Sequence, residues 1–330
     1  LSGSDRIADH GDIHGGAVPG LAGEPAEKMC MRKNKGEIMS ERLKGRVAIV
    51  TGAGGGLGRA HALELARHGA HVVVNDMGAS AQAVADELCA AGGKAIACMG
   101  DVTRYDDMEA MAAAALSAFG RIDILVNNAG VLRDRTFAKM PLDEFRLVLD
   151  VHVMGSVNAT KAVWLHMQAQ EYGRIVMTTS SSGLYGSFGQ SNYGAAKMAL
   201  VGLMQTLALE GAKRNVLVNC LAPSAMTAMT EGLLAEEAAV VLTPERVSPG
   251  LIALVGEDAP TRMILLAGGG SFECAHITMT RGIHIGDADD TAEALCGRLE
   301  QVQAQEGQLI PASGWEQPQH EVAKALGRPR

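Results

Sequence analysis

The sequence predicts an α/β fold in which one doubly wound parallel sheet of about seven strands carries helices on both faces, and three observations predict it. Short apolar runs of four to six residues recur from Val47 onward, alternating with longer stretches of helical periodicity. The links between them are short and turn at Gly. The first run leads directly into a Gly-rich turn and a helix start. Such alternation requires parallel strands joined by right-handed crossovers.

Composition fits one large domain with tails. Of 330 residues, 47% are hydrophobic and only 3% aromatic, so the core must be packed by Ala, Val, Leu, Gly and the 17 Met. A net charge of -8 argues against a nucleic-acid partner, which needs a basic surface, but leaves room for a local anion site. No apolar run reaches the ~18 residues that span a bilayer, so no membrane partner is expected. The six cysteines (Cys30, Cys89, Cys98, Cys220, Cys274, Cys296) form no Cys-x-x-Cys pair and read as reduced thiols. The terminal Gly327-Arg328-Pro329-Arg330 is not a peroxisomal address, and the expected location is cytoplasmic.

Residues 1–38 are Gly-rich, lack periodicity and lack a signal-peptide core; they read as a disordered extension. His10 and His14 have helical metal-ligand spacing, but in a Gly-rich tail no metal is expected. The main domain is expected over 39–286. Val47 to Val50 reads as a strand buried on both faces, followed by Thr51-Gly-Ala-Gly-Gly-Gly-Leu-Gly58 and a helix from Arg59 to His68. Glycines in such a turn let the backbone approach a pyrophosphate, whose charge is met by amides at the helix start. The Gly-x-Gly-x-x-Gly fingerprint is absent because position 57 is Leu; Gly52, Gly56, Leu57 and Gly58 form a Thr-Gly-x-x-x-Gly-x-Gly pattern instead. His71 to Asp76 is the second strand, and Asp76 at its end is placed to accept from adenosine ribose hydroxyls and repel a 2′-phosphate. No basic residue stands among Ala53, Gly54 and Gly55, so the expected cofactor is NAD.

A helix over 81–91, a strand over 94–99, a helix over 106–119 and a strand over 121–126 follow, the last ending in Asn127-Asn128-Ala129-Gly130. Pro141 to Gln170 reads as one long helix with Pro141 in its first turn and Asp143-Glu144 at the positive end of its dipole. Arg174 to Met177 is the fifth strand, Tyr193 to Ala212 a helix and Val216 to Leu221 the sixth strand. Apolar residues round more than one face of the two long helices suit a subunit contact, so a homodimer or homotetramer is expected. Residues 224–243, with Met226, Met229, Leu233 and Leu234, read as a substrate lid. A helix over 247–255, a seventh strand at Met263–Leu266 and an added strand pair over 271–285 complete the domain. Residues 287–330 are expected to be a short helix and a weakly ordered tail, able to fold over the active-site mouth.

The chemistry concentrates in Thr178-Thr-Ser-Ser-Ser-Gly-Leu-Tyr-Gly-Ser-Phe-Gly-Gln-Ser-Asn-Tyr-Gly-Ala-Ala-Lys197. Tyr193 and Lys197 are four residues apart and share a helix face, so the ammonium is expected to lower the phenol pKa. Ser180 stands at the carboxyl end of the fifth strand, where open α/β sheets bind their ligands.

Together, the Gly turn, Asp76, Asn-Asn-Ala-Gly, Ser180 and Tyr193-x-x-x-Lys197 resemble the short-chain dehydrogenase/reductase family, across Met39 to Ile285. The resemblance implies a Rossmann-type sheet and an NAD-dependent oxidoreductase. It implies that Asp101 and Val102 contact adenine, that Asn128 helps place the cofactor, and that Pro223 and Thr227 belong to a turn covering it. It also implies that Tyr193 exchanges the hydroxyl proton, Ser180 binds the substrate oxygen, and Lys197 holds the nicotinamide ribose. The pattern departs at His152, where the family's fourth catalytic residue is usually Asn, and at Ser224, usually Gly. For His152, a packing role and a proton-relay role stay open. Val72–Asp76, Leu125–Phe137, His152 and Gly183–Gln190 resemble the (3R)-3-hydroxyacyl-CoA dehydrogenase branch of the family. The expected substrate is therefore a small molecule, a (3R)-3-hydroxyacyl-CoA. The alternatives are a hydroxysteroid, a 3-oxoacyl carrier-protein substrate, or no turnover at all, in an NAD-binding redox sensor.

Overall fold

The computed structural model describes residues 41–227, 236–286 and 289–328. The expectations for residues 1–38, including His10 and His14, and for Met229, Leu233 and Leu234, lie outside the described residues. Four strands, β1 (Val47–Val50), β2 (His71–Asp76), β3 (Ala95–Met99) and β4 (Ile124–Asn127), build the first half of the sheet. β5 (Gly173–Thr178), β6 (Val216–Ser224), β7 (Ile264–Gly268) and β8 (Ser271–Ala275) build the second. Their spatial order is β3-β2-β1-β4-β5-β6-β7-β8, so an eighth strand extends the expected seven. Every pairing is parallel except that of β7 with β8.

Alternation along each strand feeds two separate cores. Ala48, Val50, Val72 and Val74 face α1 (Gly56–Arg67), α2 (Ser80–Ala90) and α9 (Ser248–Val255). Val47, Ile49 and Val73 pack with α3 (Tyr105–Phe119), α5 (Gly155–Gln170) and α7 (Ser191–Gly211) on the other face. Three glycyl C-terminal turns of the kind the sequence marks are adopted with positive φ, at Gly69, Gly92 and Gly120.

At the amino ends of the strands, buried Asp123 gathers the edge of β4 onto β1. Its carboxylate accepts from Val47 N (2.9 Å), Arg46 Nη1 (3.0 Å) and Arg121 Nε (2.7 Å). Tyr172 is sandwiched there between the guanidiniums of Arg46 and Arg174, 3.6 and 4.1 Å from its ring centre.

The long helix expected over 141–170 is divided. Pro141 precedes it in extended backbone (φ -65°, ψ 140°) rather than lying in its first turn. α4 (Leu142–Leu149) passes through a wide π turn at Asp150–Met154 before α5 begins. Tertiary packing sets the break: a Cβ on Gly155 would lie 2.6 Å from Val102, and Asn158 Nδ2 donates to Val102 O. Two further corrections concern the carboxyl-terminal part. The strand pair expected over 271–285 is the single strand β8, beyond which the one β-bridge among the described residues is Met279 to Leu309. The tail contains α10 (Thr291–Cys296), α11 (Leu299–Gln303) and α12 (Glu316–Ala325). Polar side chains on carbonyls hold it in place: Arg262 donates to Pro311 O and Ala312 O, and His320 and Lys324 meet Arg281 O. None of residues 289–328 lines the cavity described next.

Candidate active site

A cavity of about 720 Å³ opens at the carboxyl ends of the strands. Every catalytic and cofactor-binding candidate from the sequence lines it, Gly52, Gly56, Leu57, Gly58, Asp76, Asp101, Val102, Asn128, His152, Ser180, Tyr193, Lys197, Pro223 and Thr227, whereas Met226 of the expected lid does not.

One side is the turn between β1 and α1. Gly52 and Gly56 have φ of +61° and +50°, which an L side chain rarely adopts. Gly58 is required by contact instead, since a Cβ there would stand 2.2 Å from Gly52 O. At Gly55 a Cβ would meet nothing within 4 Å, so bare backbone faces the cavity there. The first turn of α1 holds no acidic residue and no side-chain cap, leaving its amides for an anion. A dinucleotide pyrophosphate fits this cradle.

The turn is held from below. Asn128 Nδ2 donates to Thr51 O (2.9 Å) and Gly52 O (3.1 Å), while Thr51 Oγ1 accepts from Asn128 N and Ala129 N. Asn128 thus acts on the loop, not through a free amide aimed into the cavity. Asp76 Oδ2 accepts from Gly54 N at 2.9 Å, so the carboxylate expected to face a ribose also closes the turn. Asp101 Oδ1 accepts from Thr103 N and Thr103 Oγ1, which fixes the bend at the end of β3. Past β6, Thr227 closes over the turn, its Cγ2 only 3.4 Å from a Cβ built on Gly56. The roles of Thr51 and Gly54 were not legible as chemistry in the sequence, because Thr51 acts through its hydroxyl within the turn and Gly54 through its amide.

On the other side, Ser180 precedes the short helix α6 (Ser181–Tyr185), and its Oγ accepts from Ser182 N at 3.1 Å. Tyr193 stands in the first turn of α7. Burial pushes its phenol up to about 12, with the Ser180 hydroxyl pulling the other way. The expected lowering by Lys197 is not found. Lys197 Nζ lies 5.4 Å from the Tyr193 ring centre and donates to Thr178 O. Burial brings its own pKa down to about 7, which weakens it as a cation near neutral pH. The one-face geometry of an i,i+4 pair therefore brings the lysine beside the ring, while desolvation controls both groups.

His152 lies in the π turn, 1% exposed. Its Nε2 is 2.9 Å from Val131 O and 3.1 Å from Val131 N, and its ring meets that of Tyr193 edge-on, centres 5.2 Å apart. Burial lowers its pKa to about 3, so the ring is neutral, and Nδ1 is buried with no partner among the described residues. Sequence reasoning did not single out Gly130, on which a Cβ would stand 2.3 Å from this ring. Nor did it find Leu132, Ser182, Ser187 and Gln190, which line the cavity beyond Ser180; Leu242, within the expected lid and directly after α8 (Glu236–Val241), lines it too.

With this geometry in view, residues 46–238 match the family model described as short chain dehydrogenase. A putative short-chain type dehydrogenase/reductase of Mycobacterium tuberculosis is 47% identical over 239 residues, 69% of this chain and 84% of that protein. Peroxisomal multifunctional enzyme type 2 of Mus musculus is 47% identical over 230 residues, 66% of this chain. This chain spans 30% of that enzyme's length. The solved full-length peroxisomal multifunctional enzyme type 2 of Drosophila melanogaster superposes with a TM-score of 0.73 at 36% identity, over 86% of this chain and 50% of that one. A 7α-hydroxysteroid dehydrogenase solved with NADH and 7-oxo glycochenodeoxycholic acid superposes at 0.65 and 30% identity, over 72% of this chain and 98% of that one.

Proposed function

We infer the reaction from one premise: this chain belongs to the short chain dehydrogenase family. It is an oxidoreductase of CH-OH groups using a nicotinamide dinucleotide. We propose NAD as that dinucleotide, and a (3R)-3-hydroxyacyl-CoA as the alcohol, oxidised to the 3-oxoacyl-CoA. The observation that carries the reading is that one cavity is lined both by the Gly turn with Asp76 and by Ser180, Tyr193 and Lys197.

When bound, NAD supplies the hydride acceptor. The amides at the start of α1 would meet its pyrophosphate, and Asp76, held by Gly54 N, would face the adenosine ribose and disfavour a 2′-phosphate. Asp101, Val102, Pro223 and Thr227 would flank it. In the proposed mechanism Ser180 orients the substrate hydroxyl, and Tyr193 takes its proton. With its pKa at about 12, the Tyr193 hydroxyl holds its own proton near neutral pH, so it must first release that proton before its phenolate takes the substrate's as hydride leaves the carbinol carbon. Lys197, its pKa brought down to about 7 by burial, can take up or release a proton near neutral pH beside the ring, and His152 sets the position of the Tyr193 ring through their edge contact.

Support for the acyl substrate is the resemblance of Leu125–Phe137 and Gly183–Gln190, together with the identity to peroxisomal multifunctional enzyme type 2. A steroid alcohol is the second reading, favoured by the match to the hydroxysteroid dehydrogenase. Exposed Leu165, Met198 and Leu209 on α5 and α7, with Met154 in the π turn just before α5, support a homo-oligomer. Free thiols at Cys89, Cys98, Cys220, Cys274 and Cys296 support a reducing compartment, proposed as the cytoplasm. The test is NADH absorbance with both enantiomers of a 3-hydroxyacyl-CoA and with a hydroxysteroid, each with NAD and NADP. Preference for the (3S) enantiomer, or for the steroid by more than about tenfold in kcat/KM, overturns the substrate; equal efficiency with NADP overturns the cofactor. Cofactor binding without any alcohol-dependent NADH would favour the redox sensor.

A further inference from the structure

We propose that the rim formed by residues 131–137 and 185–190 binds the phosphate-bearing arm of a pantetheine thioester, with Arg133 meeting phosphate and Phe188 offering a stacking face. The proposal rests on the thioester reading above and adds a site to it.

A hydroxyacyl thioester of phosphopantetheine is neutral around its reacting carbon and anionic only at the far end of a long arm. Its charge must therefore be met outside the catalytic cavity. Within the cavity, Lys197 is the one Lys or Arg among the described lining residues, and it is buried against Thr178. The chain as a whole carries a net charge of -8, so an anionic arm needs a local cation to dock.

The rim supplies one. Val131, Leu132, Ser187 and Gln190 line the cavity, and the chain leaves it at Arg133, whose side chain is exposed. Arg133 Nη1 donates to Leu132 O at 2.7 Å, and no carboxylate among the described residues forms an ion pair with it. Its neighbour Arg135 is engaged differently, paired with Glu144 at 2.9 Å. Asp134 is the nearest acid in sequence, and its Oδ2 accepts from Gln190 Nε2 at 2.7 Å.

The backbone carrying Arg133 is held where the reaction takes place. Asn192, fully buried and directly before Tyr193, donates from Nδ2 to Arg133 O at 2.9 Å. Arg135 N donates to Gly189 O at 2.8 Å, tying the two rim segments together. The opposite segment presents Phe188 at 94% exposure, between the lining residues Ser187 and Gln190, with Tyr185 also exposed. In a chain with only five Phe, a ring left in solvent at a cavity mouth contributes nothing to packing. An exposed aromatic face on one rim segment and, on the other, an exposed guanidinium with no ion-pair partner among the described residues can receive a base and its phosphates. Coenzyme A has both; a carrier protein bearing phosphopantetheine offers the phosphate alone.

The experiment compares one (3R)-3-hydroxyacyl group carried on coenzyme A and on N-acetylcysteamine, which lacks the phosphates and adenine. Wild type is expected to favour the coenzyme A thioester by at least about tenfold in kcat/KM, through KM, the scale of one charge-assisted hydrogen bond. Arg133→Ala is expected to erase most of that ratio, and Arg133→Lys to keep part of it. Phe188→Ala should weaken the coenzyme A thioester but leave a carrier-protein thioester far less affected; equal effects on both would assign Phe188 to protein contact and overturn its stacking role. Equal use of the two small thioesters by wild type, or an Arg133→Ala loss of the same size on both, overturns the site while leaving the hydroxyacyl reading intact. Failure to oxidise either thioester, with a steroid oxidised, overturns reading and site together. Inhibition of wild type gives an independent check without any variant: free coenzyme A is expected to compete with the thioester far better than pantetheine, and equal inhibition refutes the proposal.

Discussion

Gly130→Ala offers a test of the packing that seats His152. The new methyl would lie 2.3 Å from His152 Cε1, 3.0 Å from Nδ1 and 3.1 Å from Nε2. The ring must retreat by about 1 Å to reach ordinary contact, and its bond to Val131 and its place inside the π turn oppose that. Overpacking of this kind costs about 1–3 kcal/mol. Gly130 does not occupy the left-handed region, so alanine strains no backbone and, by restricting the unfolded chain, returns about 0.4–1 kcal/mol. The expected net loss is about 1–2 kcal/mol, measurable by denaturant unfolding. In a His152→Ala background the methyl loses all three of its nearest neighbours, and the same substitution is expected to be neutral or stabilising. That change of sign is the signature. Equal losses in the two backgrounds would refute the direct contact. Because the displaced ring is edge-on to Tyr193, Gly130→Ala alone should also lower kcat more than it raises KM.

Tyr193→Phe is expected to reduce turnover by about 10² to 10⁴ while NAD binding, followed by fluorescence titration, stays near wild type; wild-type rates would end its role as the acid-base group. Asp76→Ala is expected to narrow the preference for NAD over NADP by about tenfold and also to lower Tm by a few degrees, since Gly54 N loses its acceptor; an unchanged ratio assigns Asp76 to the turn alone. His61 is buried between α1 and α9, with Nδ1 2.9 Å from Ser248 Oγ and its pKa lowered by burial to about 4. Its folded pKa lies below the unfolded 6.5, so the unfolded chain takes the proton first and stability is lost as pH falls from 6.5 to about 4. Relative to His61→Leu, wild type is expected to lose on the order of 3 kcal/mol across that window, read by unfolding at pH 7 and pH 4, and an unchanged difference would remove His61 from the acid response.

Much of this molecule could be read from one sequence because parallel strands buried on both faces leave a strong apolar signal, and His71–Asp76 runs over the residues the pattern marks. The same holds for the cavity, since glycines with positive φ and residues at strand ends are written in residue type. Three things were not legible. The break before α5 depends on Val102, more than fifty residues away in sequence. The order of the tail depends on side chains donating to carbonyls, which leave no periodicity. The direction of the Tyr193 and Lys197 shifts depends on burial depth, and a four-residue spacing reports proximity without reporting desolvation.

β4 is fastened to β1 at both of its ends, by Asp123 on Val47 N at one and by Asn128 on Thr51 O and Gly52 O at the other. A ladder of three residue pairs so bracketed has no free end from which to fray. The amide protons of Ile49 and Leu125 should therefore exchange with solvent only when the whole molecule opens, among the slowest of the described residues. The turn that receives the cofactor inherits that persistence: its shape survives the local breathing that loosens loops, and it stands ready before any ligand arrives.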